Sequence, residues 1–547
     1  MKGPPKGPLF FIFCYNNFSM SKITKYLNQL ITGNVFDSQD ILEAYSIDRS
    51  ALKITPRLVA FPESTNDIRK IMKFFDQLAL KNVRFPVVIR GSGLDETGAD
   101  LSTGIVISTQ KLNQLEEIDT RERLVRVQTG ITLKELNTAL SVSGLTLPIK
   151  ANENETIGSL IANCPTDNYA AKYGGIMSFV ERAEIVLTNG ECIQTGRQNA
   201  HQIAKKASEN TLEGKIYAKL AELAKNDPET INKLHNDTTS SYGYPTIAYA
   251  VKKDTIDLLP LIFSSQGSLG IVSEVILRAE VIPAKPVRMV ATFSSLKSTM
   301  NFLMETSVMR PLELNIVDLR ILKTAEEYGK NLSKITHKLQ SGYAVFVSFN
   351  DKAVKTNKKL HDCIKNIPAT SSYIVENEDT APILDEFEHA IDSYLHMPMN
   401  GERVPIVSDF YIPSKNFVAF IKDLNVLQQK LRLDLPIFGS FIASNYSIRP
   451  KFKIDDENYE QRFLTFLRAG DLIINRQGGS ITGGSPEGRT KAIITNKAIL
   501  PEEKKLYKEI KAAFDPNNIL NPDIKLGADA NFTLKHLRTT KSPKIML

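Results

Sequence analysis

Apolar positions fall into two textures along this chain. Between Ser21 and Ile31 they recur at helical spacing, at Ile23, Tyr26, Leu27 and Leu30, and predict a helix. Leu58 to Phe61 is an apolar run of strand length. PESTNDI follows, with Ser64 or Thr65 as N-cap, and Ile68 to Leu80 then carries a helical apolar face. Phe85 to Ile89, Gly104 to Ser108 and Leu124 to Val127 read as short strands, and ITLKELNTALSVSG as an amphipathic helix closed by Gly144. Strand, turn and helix alternate in this way to about Ile282. PAKP, Pro283 to Pro286, reads as a linker. Beyond it, strand patterns at Arg288–Thr292, Tyr343–Ser348, Pro405–Tyr411 and Pro436–Ile442 are separated by helices such as Leu296–Met309 and Lys415–Leu431. This second texture predicts an antiparallel sheet with helices on one face, and α+β class overall. Pro501 to Phe514 is a charged amphipathic helix stopped at Asp515-Pro516, and the basic tail after Gly527 is expected to be mobile.

Composition narrows the class without naming it. The chain has 547 residues, 42% hydrophobic and 24% charged, ordinary values for a soluble globular protein of two to four domains. Its 68 basic and 61 acidic residues leave a formal charge of +7. The cations are scattered, so nucleic acid is not an expected partner; an anionic cofactor, or at most peripheral attraction to anionic lipid, fits better. Cys14, Cys164, Cys192 and Cys363 lie far apart with no CxxC spacing, which argues against a disulfide framework, a zinc site or an intrinsic iron–sulfur cluster and for a reducing, cytoplasmic setting. Lys2 and Lys6 precede the apolar run PLFFIFCY, which is too short to span a bilayer and is followed by no A-x-A-like cleavage site. Residues 1–20 are therefore expected to be an unstructured extension.

Three glycine-rich stretches carry candidate chemistry. In VVIRGSGLDETGA, Val87 to Ala99, a strand runs into Arg90 and then turns through Gly91, Ser92 and Gly93; successive backbone N–H groups there can form an anion nest. It is neither G-x-G-x-x-G nor a P-loop, and alone it reads equally as a structural turn. TIGSLIANCPTDNYAAKYGG, Thr156 to Gly175, flanks a short apolar helix with turns. SSQGSLGIVSEVIL, Ser264 to Leu277, sets glycines at the mouth of a β-run.

Taken in order, these stretches resemble the flavoenzymes with a PCMH-type FAD domain, the group that includes D-lactate dehydrogenases and glycolate oxidase. VAFPESTNDI, RGSGLDETG, GIVISTQKLNQL, VQTGITLKELNTAL, GLTLP, TIGS, AAKYG, VLTNGE, QGSLGIVSEV and FDPNNILNPDIKLG carry the resemblance, over about Tyr45 to Leu526. It implies a two-lobed FAD-binding domain at 56–282 and a cap at 283–495. A helical segment 21–55 precedes them, and a C-terminal helix with its NP motif at 496–527 and a tail at 528–547 follow. FAD would lie between the lobes, its diphosphate on the backbone of Arg90, Gly91, Ser92, Gly93, Leu94 and Asp95. Pro148, Thr156, Ile157, Gly158, Asn163, Tyr173 and Gly174 would follow the flavin and ribityl chain, with Gly267, Gly270, Ile271 and Val272 on the other side. Some related enzymes tether flavin through a His in the first loop; Leu94 stands near that position, so non-covalent FAD is expected.

The cap departs from the family pattern. Where members that oxidise 2-hydroxy acids carry G-H-x-G-D-G-N-x-H, this chain reads GSFIASNYS, Gly439 to Ser447: Ser440 and Ser447 replace both histidines and Asn445 remains. Where they carry G-G-S-x-x-x-E-H-G-x-G-R, it reads GGSITGGSPEGR, with Gly484, Ser485 and Pro486 in place of Glu, His and Gly; Gly488 and Arg489 remain. Val407 takes the position of a family Lys in VSDFYIP. Imidazoles and a carboxylate are what a divalent metal needs, and His is the usual general base, so no metal is expected. The remaining candidates for the reacting centre are Asn445 and Tyr446 as lining, Glu487 as base and Arg489 beside reduced flavin or an anionic substrate. His201, His235, His337, His361, His389 and His396 fall in no recognised motif. The resemblance implies hydride transfer from an alcohol carbon of a small-molecule substrate, a 2-hydroxy acid or relative, to flavin N5, with reoxidation by a quinone, an iron–sulfur partner or oxygen. A polyol or sugar oxidase or dehydrogenase of the same fold, or a catalytically silent flavoprotein, are the alternatives.

Overall fold

The structure is a computed structural model that describes residues 20–236, 242–283, 286–337, 339–350, 358, 372–375, 377, 379–396, 402–454 and 456–539. Residues 1–19 of the expected N-terminal extension, the centre of the PAKP linker and His361 lie outside the described residues, while Met20 opens a helix.

The first lobe is a four-stranded sheet of β1 (Asn34–Phe36), β2 (Leu58–Phe61), β3 (Val87–Arg90) and β4 (Ile105–Ser108), ordered β1-β2-β4-β3. β2, β4 and β3 run parallel and β1 antiparallel. Helices Met20–Leu30 and Thr65–Ala79 supply its core, with Ile23, Leu27, Ile68, Ile71 and Phe75 buried against Val87 and Ile105. Ser64 is the N-cap, its side chain accepting from Asp67 N.

The second lobe is an all-antiparallel sheet of β5 (Leu115–Asp119), β6 (Leu124–Gln128), β7 (Val180–Val186), β8 (Cys192–Gln194) and β9 (Ile271–Arg278), ordered β5-β6-β9-β7-β8. Helices Leu133–Ser141, Ile157–Asn163, Leu212–Asn226 and Pro501–Phe514 bury their apolar faces in one cluster with it. After the last of these helices, Asp515 accepts from Ile519 N and Leu520 N and from Lys511 Nζ, and the chain runs beside β3, with Asn521 N donating to Val87 O at 2.9 Å. The C-terminal motif thereby rejoins the first lobe.

The cap is a seven-stranded antiparallel sheet of β10 (Val287–Phe293), β11 (Glu313–Asp318), β12 (Tyr343–Phe349), β13 (Ser372–Val375), β14 (Val407–Tyr411), β15 (Ile437–Ser440) and β16 (Asn445–Ile448), ordered β13-β10-β12-β11-β15-β16-β14. The antiparallel sheet stands as the sequence predicts, but helices cover both faces rather than one. Met289, Ala291, Leu314, Ile316, Val345 and Val347 pack with helices Leu296–Ser307, Phe417–Leu431 and Tyr459–Arg476, whereas Val290, Val317, Ala344 and Phe346 pack with helices Leu319–Glu327 and Ala381–His396. Unbroken apolar runs such as YAVFVSF are the physical reason: both sides of the strand need cover.

The second helix-covered face gives out before the edge of the sheet, and what remains is polar. The tail also departs from expectation: Ala530–Lys535 is helical, Leu537 is buried, and Lys53 N and Arg538 N pair with His536 O and Ala51 O. Apolar Phe532, Leu534 and Leu537 give this basic stretch a reason to dock.

Candidate functional site

A cleft opens between the two lobes. β3 ends at Arg90, and the next residues turn into its wall. Gly93 has φ +75°, and a Cβ there would sit 2.3 Å from Arg90 Nη2. Among the described residues no partner takes the backbone N–H groups of Gly91, Ser92, Gly93 and Leu94. The buried Ser92 hydroxyl and Arg90 Nη1 also lack a partner. Asp95 fixes the loop, accepting from Thr97 N, Thr97 Oγ1 and Ala99 N, and its other oxygen accepts from Asn163 Nδ2 of the second lobe at 3.1 Å. Behind the loop, Arg90 lies 3.8 Å from Asp100, whose carboxyl burial pushes up to about 6. Ile89, Leu94, Ala162, Ile262 and Val272 supply apolar wall. Unpartnered donors beside an apolar slot are what a dinucleotide with two phosphates and a planar ring requires.

Of the residues expected along a cofactor, Gly91, Gly93, Leu94, Asp95, Thr156, Gly158, Asn163, Gly267, Gly270 and Val272 line this cleft together. Arg90 lies behind the loop with its guanidinium over the Tyr45 ring. Ile157 and Ile271 are fully buried in the lobes' cores, so they shape the cleft through their backbones. Pro148 is buried; Tyr173 and Gly174 lie on the side of the second lobe that meets the cap, where Asn350 Nδ2 donates to Tyr173 Oη. Gln266, absent from the expectations, clamps the cleft shut at its base: its amide donates to Thr97 Oγ1 and Asn163 Oδ1 and accepts from Gly488 N.

A second surface faces the second lobe from the cap. Directly opposed residues of neighbouring strands share a face. Arg288, Ser348 and Glu313 are opposed in turn, as are Asn315, Ser440 and Asn445, with Tyr411 beyond. Ser447 shares the face of Asn445, while Tyr446 between them is buried with Phe410 and Phe417, so it does not line this surface. The row contacts the second lobe: Asn445 Nδ2 donates to Thr166 O, and Asn168 Nδ2 to Glu313 Oε2. Buried Asn315 Oδ1, Asn445 Oδ1, Asn350 Oδ1 and Asp167 Oδ2 have no partner.

The glycine loop 478–488 closes the edge of this surface. A Cβ on Gly484 would lie 2.3 Å from Asn445 Oδ1, so only glycine lets the loop pass. Around it is an ionic cluster that spacing in the sequence does not reveal. Glu96 pairs with Arg449; Ser447 Oγ donates to Asp409 Oδ1 and accepts from Asp409 N; Lys491 Nζ donates to Ser408 O and Ser485 Oγ. Burial brings Lys491 down to about 8 and, with Glu96, raises Asp409; Glu155 is pushed up to about 8 by burial and by Glu96.

Glu487 and Arg489 are not at this surface, which corrects the roles expected for them. Glu487 is fully buried, accepting from Lys525 Nζ at 2.7 Å and Gly243 N at 2.9 Å. Arg489 donates to Leu101 O and Asn521 Oδ1, and burial lowers it to about 10. A short range of sequence holds both these internal bolts and the site's edge, which is why the motif alone misplaced them. His201, His235 and His389 are exposed and stand apart from the cleft. Among the described residues no group of three or more His, Cys, Asp or Glu side chains is arranged to hold a metal ion.

Comparison with known proteins agrees with this architecture. Residues 56–196 match the FAD binding domain and residues 282–524 match the FAD linked oxidases, C-terminal domain, together well over half the chain. The chain belongs to the FAD-linked oxidase family, and its cofactor is FAD. It is 26% identical to the glycolate oxidase subunit GlcD of Bacillus subtilis (91% of this chain, 95% of that one) and 25% identical to the D-lactate dehydrogenase of Archaeoglobus fulgidus (88% and 95%). It spans about half the length of a D-2-hydroxyglutarate dehydrogenase of Pantoea ananatis, at 23% identity over 90% of this chain. Among solved structures, p-cresol methylhydroxylase superposes with TM-score 0.65 at 14% identity, over 93% of this chain and 97% of that one. Within that class the chain is an FAD-linked oxidoreductase with the PCMH-type fold.

Proposed function

We propose that this oxidoreductase oxidises an alcohol carbon, and that its donor is a neutral polyol or sugar. The observation that carries the donor class is the cap's polar row of Glu313, Asn315, Ser440, Asn445 and Ser447, facing the second lobe. Amide and hydroxyl groups there can bind hydroxyls. Three cations that border the row are already held by carboxylates: Arg449 by Glu96, Lys150 by Glu388, Arg288 by Asp385 and Glu388. A substrate carboxylate entering between Glu313, Asp409 and Asp167 would meet like charge. Bound FAD supplies the two-electron acceptor that oxidation of an alcohol requires. The loop 91–94 would bind its diphosphate, Leu94 and Val272 would wall its ring, and Leu94 offers no side chain for a covalent tether, so binding is non-covalent. A 2-hydroxy acid is the second reading, supported by the names of the relatives and by buried Lys491, which retains a positive charge at the site's edge.

The electron acceptor belongs to the same proposal. One relative is named as a subunit of an oxidase, which supports a quinone or iron–sulfur partner. Among the described residues no helix is long and apolar enough to cross a membrane; a cytoplasmic or membrane-peripheral location is part of the reading. The test is anaerobic reduction of the purified yellow protein by a panel of polyols, sugars and 2-hydroxy acids, read as loss of flavin absorbance. Reduction by no member of the panel would contradict the reading.

A further inference from the structure

We propose that Asp409 takes the donor's hydroxyl proton, in the place left by the missing imidazoles. This rests on the reading that an alcohol carbon is oxidised. Breaking the donor's C–H and O–H bonds and forming C=O sends a hydride to the oxidant that the family's cofactor supplies. The hydroxyl proton is left for the protein to accept. Serines 440, 447 and 485 cannot take it at neutral pH.

Among the described residues Asp409 stands apart from the other carboxylates of the cap in its backbone. Its φ is +52°, in the left-handed region that a side chain other than Gly, Asn or Asp seldom adopts. It sits on the bulge between Val407 and Phe410 that breaks the register of β14 with β16, and bulges beside active sites re-aim a side chain. The re-aimed carboxylate meets Ser447: the serine hydroxyl donates to Asp409 Oδ1 at 3.1 Å and accepts from Asp409 N at 2.9 Å. The loop 478–488 fixes its other side, with Gly484 N donating to Asp409 O at 2.8 Å.

The groups facing Asp409 come from four elements. Ser447 is on β16 and Arg449 just beyond it; Lys491 is on helix Gly488–Ala498; Glu96 and Glu155 come from the FAD-binding lobes. Burial and Glu96 raise the carboxyl's pKa, while Lys491, Arg449 and the serine hydroxyl hold it down. Burial thus leaves a carboxylate more basic than usual, which suits a proton acceptor. Ser447 is a positioning residue.

The test uses the full-length, FAD-loaded protein with Asp409→Asn and Ser447→Ala. FAD content and the visible spectrum should match wild type in both. Anaerobic bleaching by the best wild-type donor is then followed from pH 5 to 9. Wild-type rate should rise with pH through one ionisation above the ordinary carboxylate range. Asp409→Asn should lose about 10²–10⁴-fold and flatten that rise. Ser447→Ala removes a donor to the charged form, so its rise should move to higher pH. Infrared titration should lose one protonated-carboxyl signal in Asp409→Asn. Rates and pH profile of Asp409→Asn within threefold of wild type would overturn the proposal, as would an unmoved profile in Ser447→Ala should the first variant not fold. A wild type bleached by no donor would instead bring down the reading beneath it.

Discussion

Gly93 and Glu155 show how single residues are bound to their surroundings. Gly93→Glu would force a side chain into a left-handed backbone against Arg90 and add a charge to a nest of unpartnered N–H groups. Two like charges about 4 Å apart repel by about 4 kcal/mol at an effective dielectric of 20, so bound FAD per protein should fall several-hundredfold in affinity. A folded variant, checked by circular dichroism, that keeps full FAD content would place the phosphates elsewhere. Glu155 titrates near 8 because burial and Glu96 oppose its charge. Its folded pKa lies above the unfolded one, near 4.5, so the stability tied to its proton is complete below about 4.5 and is lost as pH rises through about 8. Glu155→Gln should therefore flatten the fall in melting temperature between pH 5 and 8; an unchanged slope would assign the proton elsewhere. The loop glycines were legible in the sequence because their chemistry is local. Asp409, Arg449 and Glu96 were not, because their partners lie tens to hundreds of residues away and nothing in their spacing marks the pairing.

At the scale of elements, helix Gly488–Ala498 is the joint between cap and FAD-binding lobes. Its first turn carries Arg489, bonded to Leu101 O and Asn521, and it is preceded by Glu487, paired with Lys525 of the C-terminal NP motif. Both side chains of the Glu487–Lys525 pair are essentially unexposed. Glu487→Gln leaves Lys525 charged and buried, which should cost about 3–5 kcal/mol, measured by denaturant unfolding. Glu487→Leu with Lys525→Met should recover much of that loss. If Glu487→Gln left stability intact and abolished turnover, the residue would belong to the reacting centre after all. The sequence made the strands of the cap plain but not their cover. The apolar run of β12 has no alternation, and a strand buried on both faces looks alike whether it is wrapped by two layers of helix or by one layer and a neighbouring domain.

For the whole molecule, two lobes and a cap enclose one cleft and one polar face, and the family's motifs mark the first far better than the second. Much of the cleft is lined by contiguous glycine-bearing stretches, the loop after Arg90, the start of helix Ile157–Asn163 and the turn 265–270. The polar face is assembled from β11 and, more than a hundred residues later, β15 and β16, so only sheet register brings Glu313 and Asn315 onto one face with Ser440 and Asn445. With Leu94 in the cleft, acid precipitation should release FAD into the supernatant; colour retained in the pellet would mean a tether at another residue. As proposed, the scaffold still oxidises an alcohol carbon, through a site that recognises hydroxyls without a metal. This is tested most directly by anaerobic flavin bleaching with polyols, sugars, D-lactate and 2-hydroxyglutarate, each with and without chelator, on protein analysed for metal. Bleaching is expected with a neutral polyol or sugar, unaffected by chelator. Bleaching by D-lactate or 2-hydroxyglutarate alone, abolished by chelator, on protein holding one equivalent of zinc or manganese, would contradict the proposal.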